Sequence, residues 1–135
     1  MSRAWIALGS NLGDRDAWLE RGVTALRAVD GLQLERVLAP IETAPLGGLA
    51  QPAYRNMMVR VRWSGTSEAL LAVCHEIEDA AGREREVHWG SRTLDMDLVR
   101  VDAEMCDTVA LTLPHPGLRD RPFWMSQLAE LETDA

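Results

Sequence analysis

Hydrophobic and polar positions recur with two different periods along the 135-residue chain. Short apolar or alternating runs predict β-strands at residues 4–8, 32–38, 59–63 and 94–99. Strict alternation in the run 59–63 predicts a strand with one buried face and one wet face. Apolar residues at helical spacing predict a helix over 16–29 and a second helix that has Thr66 or Ser67 as N-cap and ends near Gly82.

The order of these predicted elements is βαββαβ. That order indicates an α+β fold of the ferredoxin-like kind, an antiparallel sheet with both helices on one face. A short strand near 109–113 and a final helix over 122–131 are expected as C-terminal additions. The length suits one domain, which we expect to span residues 1–135.

Composition narrows the classes of function. Apolar runs are too short for a membrane span, and no signal peptide is recognisable, so a cytoplasmic protein is expected. A net charge of −7 argues against nucleic acid as a partner. All fourteen basic residues are arginine, which excludes a P-loop or Schiff-base lysine and suits bidentate phosphate binding. Cys74 and Cys106 have no metal-site spacing and are expected to be free thiols.

Two aspartates at alternate strand positions, Asp95 and Asp97, place both carboxylates on one face of the strand. Carboxylates beside substrate phosphates are ligands that Mg²⁺ prefers. An ordinary solvated strand face would contain the same pair, and from the residues alone that alternative is the more frequent one.

The segment 83–92 and the turn at His115 add candidate phosphate contacts, although a lone histidine in a turn is more often structural or merely exposed. Arg83, Arg85 and Arg92 could clamp a polyphosphate. A solvated loop whose acidic and basic residues form ion pairs with one another would have the same sequence pattern. Trp89 in that segment suits a ring-stacking or lid residue better than a core residue. Asn56 is disfavoured in a strand, which indicates a specific hydrogen-bonding role.

Five strings, taken together and in order, resemble the 6-hydroxymethyl-7,8-dihydropterin pyrophosphokinase family. They lie at residues 7–15, 43–47, 51–56, 89–97 and 113–116. The segment Trp89–Asp97, read as W-G-x-R-T-L-D-x-D, is the most specific of them. The resemblance covers essentially the whole chain and implies a ferredoxin-like fold. It also implies transfer of diphosphate from ATP to a pterin hydroxymethyl group in folate synthesis, with release of AMP.

The resemblance also implies roles for individual residues. Asp95 and Asp97 would hold two Mg²⁺ ions and act with Arg83 and Arg92 in catalysis. Residues that would bind the pterin are Thr43, Ala44, Leu46, Tyr54, Asn56, Trp89 and Phe123, with Tyr54 and Phe123 as the two stacking rings. Residues that would bind ATP are Glu78, Arg85, Leu98, Thr112, His115 and Arg121. The loops 43–52 and 83–92 would be mobile, the second acting as a lid.

Two alternatives to an active enzyme stay open at this point. A relative that binds pterin or nucleotide without turnover would fit the positions that depart from the family pattern, which are His88, Ser91 and Ala110. A regulatory ferredoxin-like module that pairs its sheet edges in an oligomer is the other. That module would not need Asp95 and Asp97 beside W-G-x-R, which argues against it. We expect instead a monomer that acts on small molecules.

Overall fold

The computed structural model describes residues 1–44, 53–82, 93–108 and 110–132. The strands are β1 (Ser2–Ser10), β2 (Leu32–Val37), β3 (Ile41–Thr43), β4 (Tyr54–Trp63), β5 (Asp95–Val101), β6 (Cys106–Asp107) and β7 (Thr112–Leu113). The helices are α1 (Arg15–Arg27), α2 (Ser67–Ala80) and α3 (Pro122–Glu132), with a 3₁₀ turn at Pro116–Asp120. No described helix is long and apolar enough to cross a membrane.

The sheet has the strand order that a ferredoxin-like fold requires. Its order is β2-β4-β1-β5, every pairing is antiparallel, and β3 also pairs with β4. The predicted α+β class and the βαββαβ order are therefore confirmed. β3 was not predicted, because its three residues are too few to show a period. β4 begins at Tyr54, five residues before the predicted strand.

Each face of the sheet is covered by helix. Leu19 and Leu26 of α1, with Leu70 and Cys74 of α2, pack on the face that presents Ile6. α3 covers the opposite face, where Trp124, Leu128 and Leu131 pack against Trp5, Ala7, Met58 and Val99. The prediction of one wet face for 59–63 is wrong, because α3 covers that second face over most of the strand. The two predicted helices do share a face, as expected.

Arg60 shows how a polar residue is accommodated beneath α3. It is 4% exposed, and its Nη1 donates to the carbonyl of Leu131 near the C-terminal end of the helix. Its Nε donates to Glu35, at 3.0 Å. A guanidinium suits this place because helix C-terminal carbonyls carry partial negative charge.

Local signals place the helix ends. The side chain of Asp14 accepts from the Ala17 N–H, and that of Thr66 accepts from the Ala69 N–H, so each caps its helix. The predicted cap at Thr66 is confirmed. Gly31, with φ of 82°, follows α1 in the left-handed region that glycine tolerates. α1 ends at Arg27, two residues before the predicted end.

Candidate active site

Two cavities meet at Asp95 and Asp97. On β5, Asp95 lies opposite Gly9 of β1, and Asp97 lies opposite Ala7. Both aspartates belong to the sheet face that α3 covers farther along the strands. Both aspartates line a smaller cavity of about 230 Å³ and a larger one of about 400 Å³. The predicted placement of both carboxylates on one strand face is confirmed. Any two molecules that occupied the cavities together would therefore share these carboxylates.

Rings and amide groups line the smaller cavity. Its lining consists of Ala7, Gly9, Thr43, Ala44, Tyr54, Asn56, Asp95, Asp97, Arg121, Phe123 and Trp124. Five residues predicted for pterin or metal binding, from distant parts of the chain, are brought together with Thr43 at the end of β3 and the adjacent Ala44. Such a mixture of aromatic faces and a few oriented polar groups is typical of a site for a flat heterocycle.

The Asn56 side chain has a defined orientation over the cavity floor. Its Nδ2 donates to Thr43 Oγ1, across the β3–β4 pairing. Its Oδ1 lies above Gly9, where an added Cβ atom would be only 2.9 Å away. The amide therefore presents a carbonyl acceptor over a floor that is flat only because Gly9 has no side chain.

Two contacts hold the chain on either side of Tyr54. Arg15 Nη1 donates to the Ala53 carbonyl at 2.8 Å, and Arg55 Nε donates to Asp16 Oδ1 at 2.9 Å. The hydrogen bond from Arg55 lowers the pKa of Asp16 below its usual value. Both contacts lead to the start of α1. The position of the Tyr54 ring is thus set by the same loop and helix start that follow β1.

The other wall of the smaller cavity is built on Trp124, which is 2% exposed. Phe123 meets it edge to face, with ring centroids 6.4 Å apart. Arg121 lies over its face, with Cζ 4.7 Å from the ring centroid, and donates to the Gly117 carbonyl. The His115 ring makes an edge contact at 5.1 Å. One buried indole therefore supports three side chains that border the site.

The larger cavity lies between α2, β5 and the segment around β7. Its lining consists of Leu71, His75, Glu78, Asp95, Met96, Asp97, Leu98, Ala110, Leu111, Thr112, His115 and Pro116. His115 Nδ1 accepts from the Gly117 N–H, so a neutral ring has its proton on Nε2. That Nε2 lies 3.5 Å from Asp97 Oδ1. A donor thus lies beside one carboxylate at the edge of this cavity.

The donor set fits a divalent cation of the Mg²⁺ type. Asp95 and Asp97 offer only oxygen, and the Asp97 side chain is 40% exposed. Among the described residues, no group of three or more His, Cys, Asp or Glu side chains forms a metal cage. Mg²⁺ commonly takes one or two carboxylates and completes its shell with water and substrate phosphates. Two carboxylates on an open cavity wall meet that requirement.

The cysteines are uninvolved in these cavities. Both are free, and Cys74 is buried on the side of α2 that packs on the sheet. Burial, with the negative charges of Glu78 and Asp97 nearby, raises the pKa of the Cys74 thiol to about 12. The thiol is consequently protonated at neutral pH and unreactive. The prediction that both cysteines are free thiols is confirmed.

The structure separates the remaining predicted residues into three groups. Glu78, Leu98, Thr112 and His115, predicted for ATP, line the larger cavity. Arg121, also predicted for ATP, lines the smaller one instead. Five predicted residues lie outside the described residues, and their roles stay predictions; they are Leu46, Arg83, Arg85, Trp89 and Arg92. The same holds for the predicted lid over 83–92.

Nine residues that line the two cavities were not predicted as site residues, and Ala7, Gly9, Trp124 and His75 are among them. Ala7 and Gly9 form the floor, and their signal is two small residues at alternate positions of β1, on the strand face that presents Arg3 and Trp5 farther along. Trp124 adjoins Phe123 and was not singled out. His75 precedes Glu78 by one helical turn on α2, so the 3.6-residue period could have placed both in one cavity.

Comparison with known proteins agrees with this geometry. The family model for 7,8-dihydro-6-hydroxymethylpterin-pyrophosphokinase matches residues 5–133. A 2-amino-4-hydroxy-6-hydroxymethyldihydropteridine pyrophosphokinase from Bacillus subtilis is 38% identical over 95% of this chain and 77% of its own length. A protein of the same name from Methylorubrum extorquens is 37% identical over 99% of this chain and 85% of its own. The same name belongs to an Aquifex aeolicus protein that is 29% identical over 98% of this chain and 81% of its own.

These matches extend through both cavities and the strand between them. With the ferredoxin-like sheet and the paired aspartates, they leave one conclusion: the chain belongs to the 7,8-dihydro-6-hydroxymethylpterin-pyrophosphokinase family.

Proposed function

We propose that this chain transfers the β,γ-diphosphate of ATP to the hydroxymethyl group of 6-hydroxymethyl-7,8-dihydropterin and releases AMP. The observation that carries the proposal is the meeting of two cavities of different character at Asp95 and Asp97. The names of the Bacillus and Methylorubrum relatives support the same reaction, and a Schizosaccharomyces pombe relative named as a folic acid synthesis protein supports its role in folate biosynthesis. A transfer between two bound molecules requires adjoining sites that share the groups acting on the transferred phosphates.

We assign the pterin to the smaller cavity. Tyr54 and Phe123 supply two aromatic faces, and a flat heterocycle gains from stacking against both. Asn56 Oδ1 is directed over Gly9 and would accept a hydrogen bond from a ring N–H or the amino group. Thr43 and Ala44 lie along the same wall, where backbone groups can bind the rest of the polar edge.

We assign ATP to the larger cavity. Leu98, Thr112 and His115 line this cavity, and the His115 ring lies beside the Asp97 carboxylate. Arg121 lines the smaller cavity, so its contact with ATP stays a prediction. From the smaller cavity, its guanidinium can still face phosphate oxygens near Asp95 and Asp97, where the two cavities meet.

Asp95 and Asp97 would hold the Mg²⁺, for which we propose two ions. Bound there, Mg²⁺ would neutralise charge on the phosphates during transfer. The chain itself orients the reactants. The pterin hydroxyl oxygen forms a bond to the β-phosphorus, the bond from that phosphorus to the AMP oxygen breaks, and AMP leaves with the electron pair. The hydroxyl proton is released in the same step.

Incubation with ATP, Mg²⁺ and the hydroxymethyl pterin tests the reaction, with products identified by ³¹P NMR. AMP and a pterin diphosphate in equal amounts are expected. ADP would indicate ordinary phosphoryl transfer and contradict the proposal. Binding of both ligands without AMP would favour a relative that has lost turnover.

We further propose that the protein acts as a monomer on small molecules, without nucleic acid. The two cavities, of about 230 Å³ and 400 Å³, suit small molecules, and the net charge of −7 argues against nucleic acid. Sedimentation with and without ligands tests this, and a ligand-dependent dimer would contradict it.

A further inference from the structure

Glu78 makes an unusual contact with the strand that carries the aspartates. It lies on α2, is 6% exposed, and its Oε2 accepts a hydrogen bond of 2.7 Å from the Met96 N–H. Met96 is the residue between Asp95 and Asp97. A buried carboxylate loses hydration energy, which specific hydrogen-bond partners must offset, and one such partner here belongs to the backbone of the candidate metal site.

The position of this contact in the sheet explains its effect. Among the strands that the structure describes, β5 is an edge strand of the main sheet and pairs only with β1. In an antiparallel ladder, residues alternate between facing the partner strand and facing away from it. Because the Met96 N–H is directed to Glu78, Asp95 and Asp97 direct their backbone groups towards β1. The three consecutive residues 95–97 are thus held by β1 on one side of the strand and by Glu78 on the other.

A second contact holds the same outer edge beyond Asp97. The His115 N–H donates to the Val99 carbonyl at 2.8 Å. Asp97 therefore lies between two points of attachment, one at Met96 and one at Val99. Loss of the Met96 contact would leave the first half of β5 attached to β1 alone.

We propose that Glu78 is a positioning residue, which holds the Met96 N–H and thereby fixes the direction in which Asp95 and Asp97 leave the edge strand. The proposal rests on the proposed function, because it takes these aspartates as the ligands of the divalent cations. It differs from the role in ATP binding that the resemblance implied. Groups that orient metal ligands typically change metal affinity by 10- to 100-fold when removed.

The test compares Glu78→Ala and Glu78→Gln with Glu76→Ala, which removes an exposed carboxylate from the same helix. Three quantities are measured: exchange of the Met96 amide by NMR, affinity for Mn²⁺ with a non-transferable ATP analogue by EPR, and affinity for the analogue without metal. Glu78→Ala should speed Met96 exchange and weaken Mn²⁺ binding by about 10- to 100-fold. Metal-free nucleotide affinity should stay unchanged.

Glu78→Gln retains an acceptor oxygen without the charge, so its Mn²⁺ affinity should lie between wild type and Glu78→Ala. This variant keeps the comparison possible if Glu78→Ala does not fold. Mn²⁺ affinity and Met96 exchange equal to those of Glu76→Ala would overturn the positioning role. So would a loss of metal-free nucleotide affinity alone, which would make Glu78 a direct nucleotide ligand.

Failure of this inference can be told apart from failure of the proposed function. Wild-type protein that forms AMP, with Glu78→Ala that keeps normal Mn²⁺ affinity, contradicts only the positioning role. Wild-type protein that forms no AMP, with Glu78→Ala that still loses Mn²⁺ affinity, contradicts only the reaction.

Discussion

Gly9 and Asn56 face each other on β1 and β4, and a Cβ atom at Gly9 would lie 2.9 Å from Asn56 Oδ1. The same atom would lie 3.5 Å from Tyr54 Cδ1. Because Gly9 has only a hydrogen atom in place of a side chain, β1 leaves room for Asn56 Oδ1 and the Tyr54 ring, two groups of the proposed pterin site. Main-chain strain is not the constraint, because Gly9 has no positive φ.

Gly9→Ala is expected to weaken pterin binding about tenfold, since overpacking of a filled site costs roughly 1–3 kcal/mol. ATP affinity should be unchanged, because Gly9 does not line the larger cavity. Calorimetric titration with each ligand measures both. In an Asn56→Ala background the same change should have much less effect, since the crowded atom is gone. Equal effects in the two backgrounds would contradict the steric explanation.

Asp97→Ala is expected to lower the rate of AMP formation by about a hundredfold or more, because charge on the transferred phosphates is no longer neutralised. The free energy of unfolding should change by less than about 0.5 kcal/mol, since the side chain is 40% exposed. Asp30→Ala, which removes an exposed aspartate in the turn after α1, is the control. Normal AMP formation by folded Asp97→Ala would contradict the metal assignment.

Substitution of the two rings tests the stacking of the pterin. Tyr54→Leu and Phe123→Leu keep most apolar area but remove an aromatic face, and each should weaken pterin binding by about 2- to 10-fold. Tyr54→Phe keeps the ring and should bind the pterin nearly as wild type does. Quenching of pterin fluorescence measures the affinities. Losses of the same size in ATP affinity would indicate a general disturbance of the fold.

Local patterns in the sequence predicted the parts of the molecule that depend on near neighbours. The alternation at Asp95 and Asp97 placed both carboxylates on one face, and Thr66 marked the start of α2. The contact of Glu78 with Met96 joins residues 18 positions apart through a backbone N–H. No side-chain pattern records such a partner, so only the fold reveals it.

The second covered face of β4 was unpredictable for a related reason. Arg60 and Arg62 alternate with valines and read as a wet face, yet Arg60 is buried beneath α3. Its burial depends on Glu35 and on the Leu131 carbonyl, which come from β2 and from the end of the chain's last helix. From the sequence alone, a buried arginine that is paired with distant groups cannot be distinguished from an arginine that faces water.

Glu35 gives the last prediction, which concerns pH. Its carboxylate accepts from Arg3 at 2.9 Å, from Arg60 at 3.0 Å and from Arg62 at 2.7 Å. Burial acts to raise the pKa of Glu35, but hydrogen bonds from Arg62 and Arg3, with the charges of Arg3 and Arg60, outweigh it. The net effect lowers the pKa from 4.5 to about 2.

Because the pKa of Glu35 in the folded state is below its ordinary value, the ionised group stabilises the fold fully above pH 4.5. This contribution should decline as the pH falls towards about 2. Glu35→Gln should therefore lower the free energy of unfolding by about 2–3 kcal/mol at pH 7, in part because the buried Arg60 loses the carboxylate charge of Glu35. The difference between the two proteins should shrink progressively between pH 4.5 and 2. Urea denaturation of both proteins across this range measures it, with Glu76→Gln as the exposed control. A difference that stays constant from pH 7 to pH 2 would show that the three arginines do not depend on the Glu35 charge.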